Sequence, residues 1–381
     1  MTCPKKIVLL GATGSIGKST LEVIRKHPDR LQLFGVSAHS NSRKLAEIAN
    51  GFKVPHAYLP ENAPGVVEWP SHSILDRSPN GLNAIAALED ADIVVVAIVG
   101  ASGLAPTLSA LEAGKNVVLA NKESLVLGGD LVMRTAKDNG AKVIPADSEH
   151  NAVFQCIQGE QRRDLDSIIL TASGGPFREL PMEELKNVTI EQALNHPNWT
   201  MGNKVTIDSA TMANKGLELI EAHWLFDLPP SRLEVVIHPT SIVHALVRFV
   251  DGCCLAQLSP PSMTFALQHA LLFPDRAKGV HPSLDFSKTL DLNFSPPSLE
   301  KFPCLRLAKD CLEQGGSAPL VFNAANEIAV GAFLSNRIGF LQIPDIIYET
   351  LSKFAYQSQD DLQALLSLDS EARRIAGDII G

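Results

Sequence analysis

The start of this chain constrains its fold more than any other stretch, because an apolar strand runs directly into a glycine-rich turn and then a helix. The strand is Lys6-Ile7-Val8-Leu9-Leu10, the turn is Gly11-Ala12-Thr13-Gly14-Ser15-Ile16-Gly17, and a helical pattern begins at Lys18. Glycines at this spacing allow a diphosphate to approach the backbone closely, facing the helix N-terminus. The pattern therefore predicts a dinucleotide-binding unit rather than an incidental tight turn.

Later strands favour a doubly wound sheet. The runs Asp92 to Gly100, Asn116 to Ala120 and Lys142 to Ala146 are mostly apolar. Such strands are typical of a parallel sheet that is covered on both faces. The predicted fold class is α/β, with an N-terminal Rossmann-like doubly wound parallel sheet, an α+β catalytic domain with a second sheet, and a C-terminal helical domain.

The second strand, Leu31 to Ala38, bears on the choice between NAD and NADP. An NAD-binding strand carries an acid near its end, whereas this strand is followed by His39-Ser40-Asn41-Ser42-Arg43-Lys44. Hydroxyls, an amide and cations suit a 2′-phosphate, so the sequence favours NADP. The alternative is that Arg43 and Lys44 simply open a solvent-exposed helix.

Two carboxylates follow the strand that ends at Ala146. If the backbone there is extended, Asp147 and Glu149 point to the same side, with Ser148 between them. Carboxylate oxygens suit Mg²⁺ or Mn²⁺, and Glu218 is the predicted third ligand. For the pair alone, a solvated turn is the alternative.

The strand that ends at Ala120 delivers Asn121-Lys122-Glu123-Ser124 at its carboxyl end. Open α/β sheets bind ligands at that edge, so we expect Lys122 to meet Asp147, Ser148 and Glu149 there. A structural Lys–Glu ion pair is the alternative.

Two loops in the middle of the chain carry groups that suit an anionic ligand. Ser173 precedes two glycines, where a hydroxyl and free amides can converge on an anion. His196 precedes Pro197 and therefore lies in a loop, where it and Trp199 could position and cover a ligand. The alternatives are a glycine turn that ends a strand and a histidine with a structural role.

A helix further on completes this set. We expect Asp208 or Ser209 to cap it, and Asn214 and Glu218 to share one face with Lys215 beside them. Ser209, Asn214 and Lys215 would then form a phosphate seat. A solvent-exposed helix with ordinary charges is the alternative.

Pattern changes divide the chain into a domain at 1–146 that carries the predicted cofactor turn, a domain at 147–282 that carries the predicted metal ligands and dimer surface, a linker at 283–303 and a helical domain at 304–381. In the second domain, Leu233 to Pro239, Ile242 to Val250 and Cys253 to Leu258 predict three strands of a second sheet. We expect this sheet to form the dimer surface, a loop at 260–263 to act as a flap, and the helical domain to have mainly a packing role.

The composition excludes several classes of protein. A net charge of -9 argues against nucleic-acid binding, and there is no apolar run long enough to span a membrane. The six cysteines form no CxxC pair, which fits reduced thiols in the cytoplasm. A strand-like run starts at Lys6, so we expect no signal or transit peptide.

Taken together, the motifs resemble those of the 1-deoxy-D-xylulose 5-phosphate reductoisomerase family over essentially the whole chain. They run in the family's order, and the stretches that carry the resemblance are Gly11 to Gly17, Leu119 to Ser124, Pro145 to His150, Thr171 to Phe177, His196 to Trp199 and Asp208 to Glu218. The resemblance implies a homodimer that rearranges a sugar phosphate with the help of a divalent metal and then reduces the product with NADPH, yielding 2-C-methyl-D-erythritol 4-phosphate.

The resemblance also implies roles for single residues. Asp147, Glu149 and Glu218 resemble the metal ligands, and together with Lys122 they are the predicted catalytic residues. The predicted substrate-binding residues are Lys122, Ser148, Glu149, Ser173, His196, Trp199, Ser209, Asn214, Lys215 and Glu218. The predicted cofactor-binding residues are Gly11, Thr13, Gly14, Ser15, Ile16, Ser40, Asn41, Asn121, Glu123 and Gly202.

Three departures from the family's usual pattern stand out. The family's second strand usually ends in a small residue, a basic residue and Asn, where this chain has His39, Ser40 and Asn41, so Arg43 is a candidate substitute for the basic residue. The flap reads Pro261-Ser262-Met263-Thr264 without the usual charges, and Ala213 replaces a common Met.

Three alternatives to this interpretation are another oxidoreductase, a non-catalytic binding protein and a hydrolase. Another NADP-dependent oxidoreductase, of the semialdehyde or homoserine dehydrogenase type, would be indifferent to chelators. A non-catalytic cofactor-binding protein predicts the loss of Lys122, Glu149 or Glu218, and all three are present. A metallohydrolase would favour zinc ligands, and the chain has no HExxH motif.

Overall fold

The computed structural model describes residues 3–65, 68–354 and 361–381. Its strands are β1 (Lys5–Leu10), β2 (Leu31–Ser37), β3 (His56–Tyr58), β4 (Ile74–Asp76), β5 (Ile93–Val96), β6 (Asn116–Leu119), β7 (Val143–Pro145), β8 (Leu165–Ala172), β9 (Leu233–Ile237), β10 (Val243–Phe249) and β11 (Cys254–Leu258).

The α-helices are α1 (Ser15–Lys26), α2 (Ser42–Phe52), α3 (Gly81–Ala86), α4 (Leu104–Glu112), α5 (Lys122–Asp138), α6 (Ser148–Cys156), α7 (Ile190–Leu194), α8 (Asn203–Thr211), α9 (Ala213–Phe226), α10 (Met263–Leu272), α11 (Pro303–Gln314), α12 (Ala318–Leu334), α13 (Gln342–Lys353) and α14 (Leu362–Ile380). No helix in the described ranges combines the length and apolar character needed to cross a membrane.

The chain forms two compact units. The first combines Met1–Ser124, Val132–Asn151 and Ser262–Ser283, and the second combines Leu125–Leu131, Ala152–Pro261 and Leu284–Gly381. The boundaries drawn from the sequence placed 262–282 with the catalytic domain and separated a helical domain at 304–381; they stay a prediction.

The first unit is built on a seven-stranded parallel sheet in the order β4-β3-β2-β1-β5-β6-β7. The chain moves outward from β1 to β4 and then returns to start β5 on the other side of β1. Ligands bind at such a switch point, beside the carboxyl ends of the strands. Val8, Leu9, Val94 and Val95 are fully buried in the two central strands, as the apolar patterns predicted. The α/β fold class is therefore confirmed.

Helix α10 belongs to this first unit and packs against α1. His27 Nε2 lies 3.2 Å from Gln268 Oε1, and Lys5 Nζ donates to the carbonyl of Phe273 at 3.0 Å. Arg30 pairs with Asp275 just beyond the helix, at 2.6 Å. The expected flap loop is short, because α10 begins at Met263.

The second unit contains a four-stranded sheet in the order β11-β10-β8-β9. The three strands predicted for this sheet, β9, β10 and β11, are present, and β8 is a fourth. β8 pairs parallel with β9 and antiparallel with β10, so the strand that leads to Ser173 lies inside this sheet. Helix α9 packs on β8 and β9, and α12 packs against α11, α13 and α14. The segment between α10 and α11 contacts the end of β9, where Ile237 N donates to Ser295 O at 2.8 Å.

Candidate active site

The glycine-rich turn after β1 is tightly packed. Gly11 has φ +84°, and a Cβ atom added there would lie 2.4 Å from the carbonyl oxygen of Ala97, at the end of β5. A Cβ on Gly17 would lie 2.5 Å from the carbonyl oxygen of Ala12. Gly14 caps α1 without a side-chain hydrogen bond, so the first amides of the helix can bind an anion. The turn therefore fits the diphosphate of a dinucleotide.

The segment after β2 starts helix α2. The Asn41 side chain caps this helix by accepting from Lys44 N at 3.0 Å. Ser40, Asn41, Arg43 and Lys44 are exposed, and the two cations lie in the first turn of α2. Hydroxyl, amide and guanidinium groups are thus placed together at the carboxyl end of β2, where a 2′-phosphate would bind.

Asn121 and Glu123 are buried between the ends of β5 and β6. Asn121 Nδ2 donates to the carbonyls of Ile98 and Gly100 and to Glu123 Oε2, at 2.9, 3.0 and 2.9 Å. Its Oδ1 accepts from Ser124 N at 3.0 Å and caps α5. These two side chains hold the loop after β5 in place beside the predicted cofactor.

Lys122 and Asp147 form an ion pair at the carboxyl edge of the parallel sheet. Lys122 Nζ lies 2.8 Å from Asp147 Oδ2, and the two side chains are 13% and 19% exposed. They follow β6 and β7, so the predicted convergence of two strand ends is present. The neighbouring Glu123 accepts from Asn121 Nδ2 through its Oε2 at 2.9 Å.

The backbone after Asp147 is helical, so the condition of an extended backbone at residues 147–149 is not met. Helix α6 begins at Ser148 and has Glu149 in its first turn. Ser148 N donates to Asp147 Oδ1 at 2.9 Å, and Ser148 Oγ donates to Glu149 Oε2 at 2.5 Å. Carboxylates are stabilised at a helix N-terminus, which explains why this segment forms a helix and not a strand. Their oxygens remain a ligand set of the kind that hard divalent cations prefer.

In the second unit, Glu218 is 1% exposed on helix α9. Lys215 Nζ lies 2.5 Å from its Oε2, and Asn214 Nδ2 donates to its Oε1. The predicted shared face is therefore present. A buried carboxylate needs compensating charge, which Lys215 supplies here and which a divalent cation can also supply.

A break at Met212 separates α8 from α9. Met212 has φ 62°, a left-handed conformation that ends one helix before the next begins. Asp208 and Ser209 therefore lie in the last turn of α8, and the prediction that one of them caps the catalytic helix was wrong. Ser209 therefore lies near the end of α8, whereas Asn214 and Lys215 lie in the first turn of α9.

His196 joins two of the predicted phosphate-binding serines. Its Nε2 lies 3.0 Å from Ser173 Oγ and 3.1 Å from Ser209 Oγ. Its Nδ1 accepts from the backbone amides of Asn198 and Trp199 at 3.2 and 3.0 Å. The proton of the neutral ring therefore lies on Nε2 and is donated to a serine. The serine hydroxyl hydrogens then point away from the ring, where they can donate to an anion.

Two residues near His196 were missed by the sequence analysis. Asn198 Nδ2 donates to Pro239 O and Ser241 Oγ at 2.6 and 2.9 Å, which anchors the loop that presents His196. Arg178 Nη1 donates to the carbonyl of Ser173 at 3.3 Å and brings a positive charge to the serines. Asn198 lies inside the stretch His196 to Trp199 and Arg178 follows the stretch Thr171 to Phe177, but only the fold shows what the two residues contact.

Trp199 and Gly202 end the same loop. The Trp199 ring lies edge-on to His244, with 6.3 Å between ring centroids. Gly202 precedes the first residue of α8 and is exposed. The region 195–202 is free of helix and strand, as Pro197 predicted.

We predict that His196 makes stability depend on pH between about 4 and 6.5. Burial, with Arg178 nearby, lowers the pKa of His196 to about 4 from 6.5. In this range His196 binds a proton in the unfolded chain but not in the folded chain. The contribution of His196 to the free energy of unfolding is therefore fully present above pH 6.5 and decreases as the pH falls toward 4. Chemical denaturation at several pH values should show a shallower decline in His196→Gln.

His269 provides the control for this prediction. Burial and Arg276 lower the pKa of His269 to about 4 as well. Wild type and His196→Gln should therefore both keep the part of the pH dependence of stability that His269 causes. The double variant His196→Gln, His269→Gln should be flatter than either single variant. Equal slopes in wild type and His196→Gln would contradict a neutral His196.

Comparison with known proteins assigns the family. The family model of 1-deoxy-D-xylulose 5-phosphate reductoisomerase matches residues 7–129. Two models of reductoisomerase C-terminal domains match residues 143–226 and residues 258–375. The reductoisomerase of Pseudomonas savastanoi pv. phaseolicola is 49% identical over 99% of this chain and 98% of its own. The chain belongs to the 1-deoxy-D-xylulose 5-phosphate reductoisomerase family. The resemblance inferred from the motifs is thereby confirmed.

Other members of the reductoisomerase family agree. The protein of Clostridium perfringens is 45% identical over 97% of this chain and 98% of its own. A reductoisomerase solved with NADPH, fosmidomycin and magnesium is 41% identical, with a TM-score of 0.92 over 99% of this chain and 98% of that one. The Zymomonas mobilis reductoisomerase solved with NADPH is 40% identical, with a TM-score of 0.90 over 99% of both chains.

Proposed function

We propose that this chain converts 1-deoxy-D-xylulose 5-phosphate to 2-C-methyl-D-erythritol 4-phosphate, using NADPH and a divalent cation. The observation that carries the proposal is the Lys122–Asp147 pair at the carboxyl edge of the sheet that also holds the glycine turn. Family membership and the NADPH, fosmidomycin and magnesium in a related reductoisomerase support it. The semialdehyde or homoserine dehydrogenase alternative is not favoured, because relatives over nearly the full length are reductoisomerases.

NADPH would lie on the glycine turn with its diphosphate at the N-terminus of α1. A Cβ atom at Gly11 or Gly17 would collide with backbone, so this cradle tolerates little but glycine. Ser40, Asn41 and Arg43 would hold the 2′-phosphate. The remaining proposed cofactor contacts are Thr13, Gly14, Ser15, Ile16, Asn121, Glu123 and Gly202.

Asp147, Glu149 and Glu218 are the proposed ligands of one Mg²⁺ or Mn²⁺ per active site. All three supply carboxylate oxygens, a donor set that fits a hard cation. When bound, the cation polarises the substrate carbonyl and stabilises the negative charge that develops during rearrangement, and NADPH supplies the hydride for the reduction. Lys122, held by Asp147, adds a positive charge near the reacting oxygens, and the Ser148 hydroxyl binds the substrate beside it.

The phosphate group of the substrate would be held in the second unit. Ser173 and Ser209 would donate their hydroxyl hydrogens, oriented by the Nε2–H of neutral His196. Asn214 and Lys215 would add an amide and a cation, and Trp199 would cover the ligand. A phosphate bound far from the reacting carbons supplies binding energy for orientation and closure.

The quaternary structure and location are also part of this proposal. The outer strand β11 has three of its five residues exposed, and Leu255 is 43% exposed, so the four-stranded sheet offers an edge for a second copy. We propose a homodimer that works in the cytoplasm, where the six unpaired cysteines would stay reduced. A monomer mass by light scattering would refute the dimer.

The proposed function predicts NADPH oxidation that depends on both the sugar phosphate and the metal. Absorbance at 340 nm should fall with 1-deoxy-D-xylulose 5-phosphate and Mg²⁺, stop when EDTA is added, and resume with excess Mg²⁺ or Mn²⁺. Omitting the sugar phosphate is the control for idle oxidation. Turnover that EDTA leaves untouched would contradict the metal and favour a plain dehydrogenase.

A further inference from the structure

Helix α12 buries two asparagines one turn apart. Asn323 and Asn326 are both 0% exposed. Asn326 Nδ2 donates to Asp208 Oδ1 at 2.8 Å, whereas Asn323 Nδ2 donates to Glu327 Oε1 on the same helix at 3.2 Å. Neither Oδ1 accepts a hydrogen bond from the described residues. The Asn326 side chain thus makes its hydrogen bond to α8 and not to its own helix.

Asp208, the acceptor of this bond, is 1% exposed in the last turn of α8. Its second oxygen, Oδ2, lies 2.9 Å from Lys204 Nζ, one turn earlier on α8. Each carboxylate oxygen therefore has a partner, as a buried carboxylate requires. Lys204 belongs to the same helix as Asp208, so Asn326 is the partner that fixes this turn of α8 to another helix.

Ser209 follows Asp208 and lies in a tightly packed corner. A Cβ atom on Gly175 would lie 2.7 Å from the Ser209 carbonyl oxygen, so α8 ends directly against the turn that carries Ser173. After Met212, Gly216 lies so close to α11 that a Cβ there would be 2.4 Å from Ala308 Cβ. A small shift of α8 would therefore move Ser209 away from His196 and from Ser173.

We propose that Asn326 is a positioning residue for the phosphate seat, acting through Asp208 on Ser209. This inference rests on the proposed function, because it takes Ser173, Ser209, Asn214 and Lys215 as the phosphate-binding groups. It gives the C-terminal helices, whose expected role was packing, a part in substrate binding. The residue does not touch the phosphate; it sets where the hydroxyl of Ser209 stands.

Asn326→Leu and its matched control, Asn323→Leu, test the proposal. Both replace an equally buried amide on one helix with a side chain of similar size, so both should lower stability, and Asn326→Leu should lower it more because it also leaves an oxygen of buried Asp208 without its donor. Only Asn326→Leu releases Asp208. We expect it to weaken binding of inorganic phosphate, followed by ³¹P NMR line broadening, and to raise KM for the sugar phosphate, each by about tenfold relative to Asn323→Leu. KM for NADPH should stay at the control value.

Equal phosphate affinities in the two variants would overturn the proposal, as would a parallel rise of both KM values. If the leucine variants do not fold, Asn326→Ala and Asn323→Ala give the same comparison. Phosphate binding is measured without turnover, so the two proposals can fail separately. A wild type that binds phosphate but does not oxidise NADPH would count against the proposed function. The phosphate titration of the two variants would still decide the positioning role of Asn326.

Discussion

Glu218→Gln is expected to lower kcat/KM for the sugar phosphate by about 1,000-fold, equivalent to about 4 kcal/mol of transition-state stabilisation. The substitution keeps the size of the side chain but removes the charge that a divalent cation binds. It also leaves Lys215, which is 3% exposed, without its carboxylate, so the melting temperature should fall as well. Initial rates across a Mg²⁺ titration should show activity returning in part at high Mg²⁺.

Glu47→Gln is the control for this change. Glu47 lies on α2 with 60% of its side chain exposed, and its ion-pair partner Lys44 is exposed too. Glu47→Gln therefore removes the same formal charge as Glu218→Gln without disturbing a buried ion pair. Its kinetics should match wild type. If Glu218→Gln loses less than about tenfold and its Mg²⁺ dependence matches that of wild type, Glu218 is not a metal ligand and the proposed ligand set is wrong.

Gly11→Ala should abolish NADPH binding at any practical concentration and destabilise the first unit by about 3 kcal/mol or more. Two costs add at this position. The backbone has φ +84°, which an alanine adopts only with strain, and the new Cβ would lie 2.4 Å from the Ala97 carbonyl oxygen. Fluorescence titration with NADPH and urea unfolding would measure the two effects.

Gly51→Ala is the matched control for the glycine. Gly51 lies within α2, has no atom within 4 Å of the added Cβ and has no positive φ. Alanine there should raise stability by up to about 1 kcal/mol and leave NADPH affinity unchanged. Wild-type NADPH affinity in Gly11→Ala would show that the cofactor binds elsewhere.

The parts of the fold that could be predicted from the sequence depend on local patterns. The strand, turn and helix from Lys5 to Lys26 lie in one short stretch, where an apolar run, the spacing of the glycines and a helical pattern predict them in turn. The edge that carries Lys122 and Asp147 followed from a general rule for parallel sheets. The shared face of Asn214 and Glu218 followed from helical spacing alone.

The errors arose where local patterns compete. The residues Asp147 to Glu149 fit an extended strand by alternation, but their serine and carboxylates also fit a helix start, and the helix forms. Met212 in a left-handed turn has no local signal, because methionine has no preference for that conformation. The Asn326–Asp208 hydrogen bond joins residues 118 positions apart, and no spacing rule reaches that far.

The discontinuous make-up of the first unit has a consequence for its synthesis. The strands of the parallel sheet are complete by Pro145, but the helix that covers α1 begins at Met263. A ribosome must therefore translate more than a hundred further residues before α10 can dock on α1 and make its contacts with His27 and Lys5. During that interval the surface of α1 that α10 later covers is exposed, so we expect this unit to reach its full stability only after α10 has been translated.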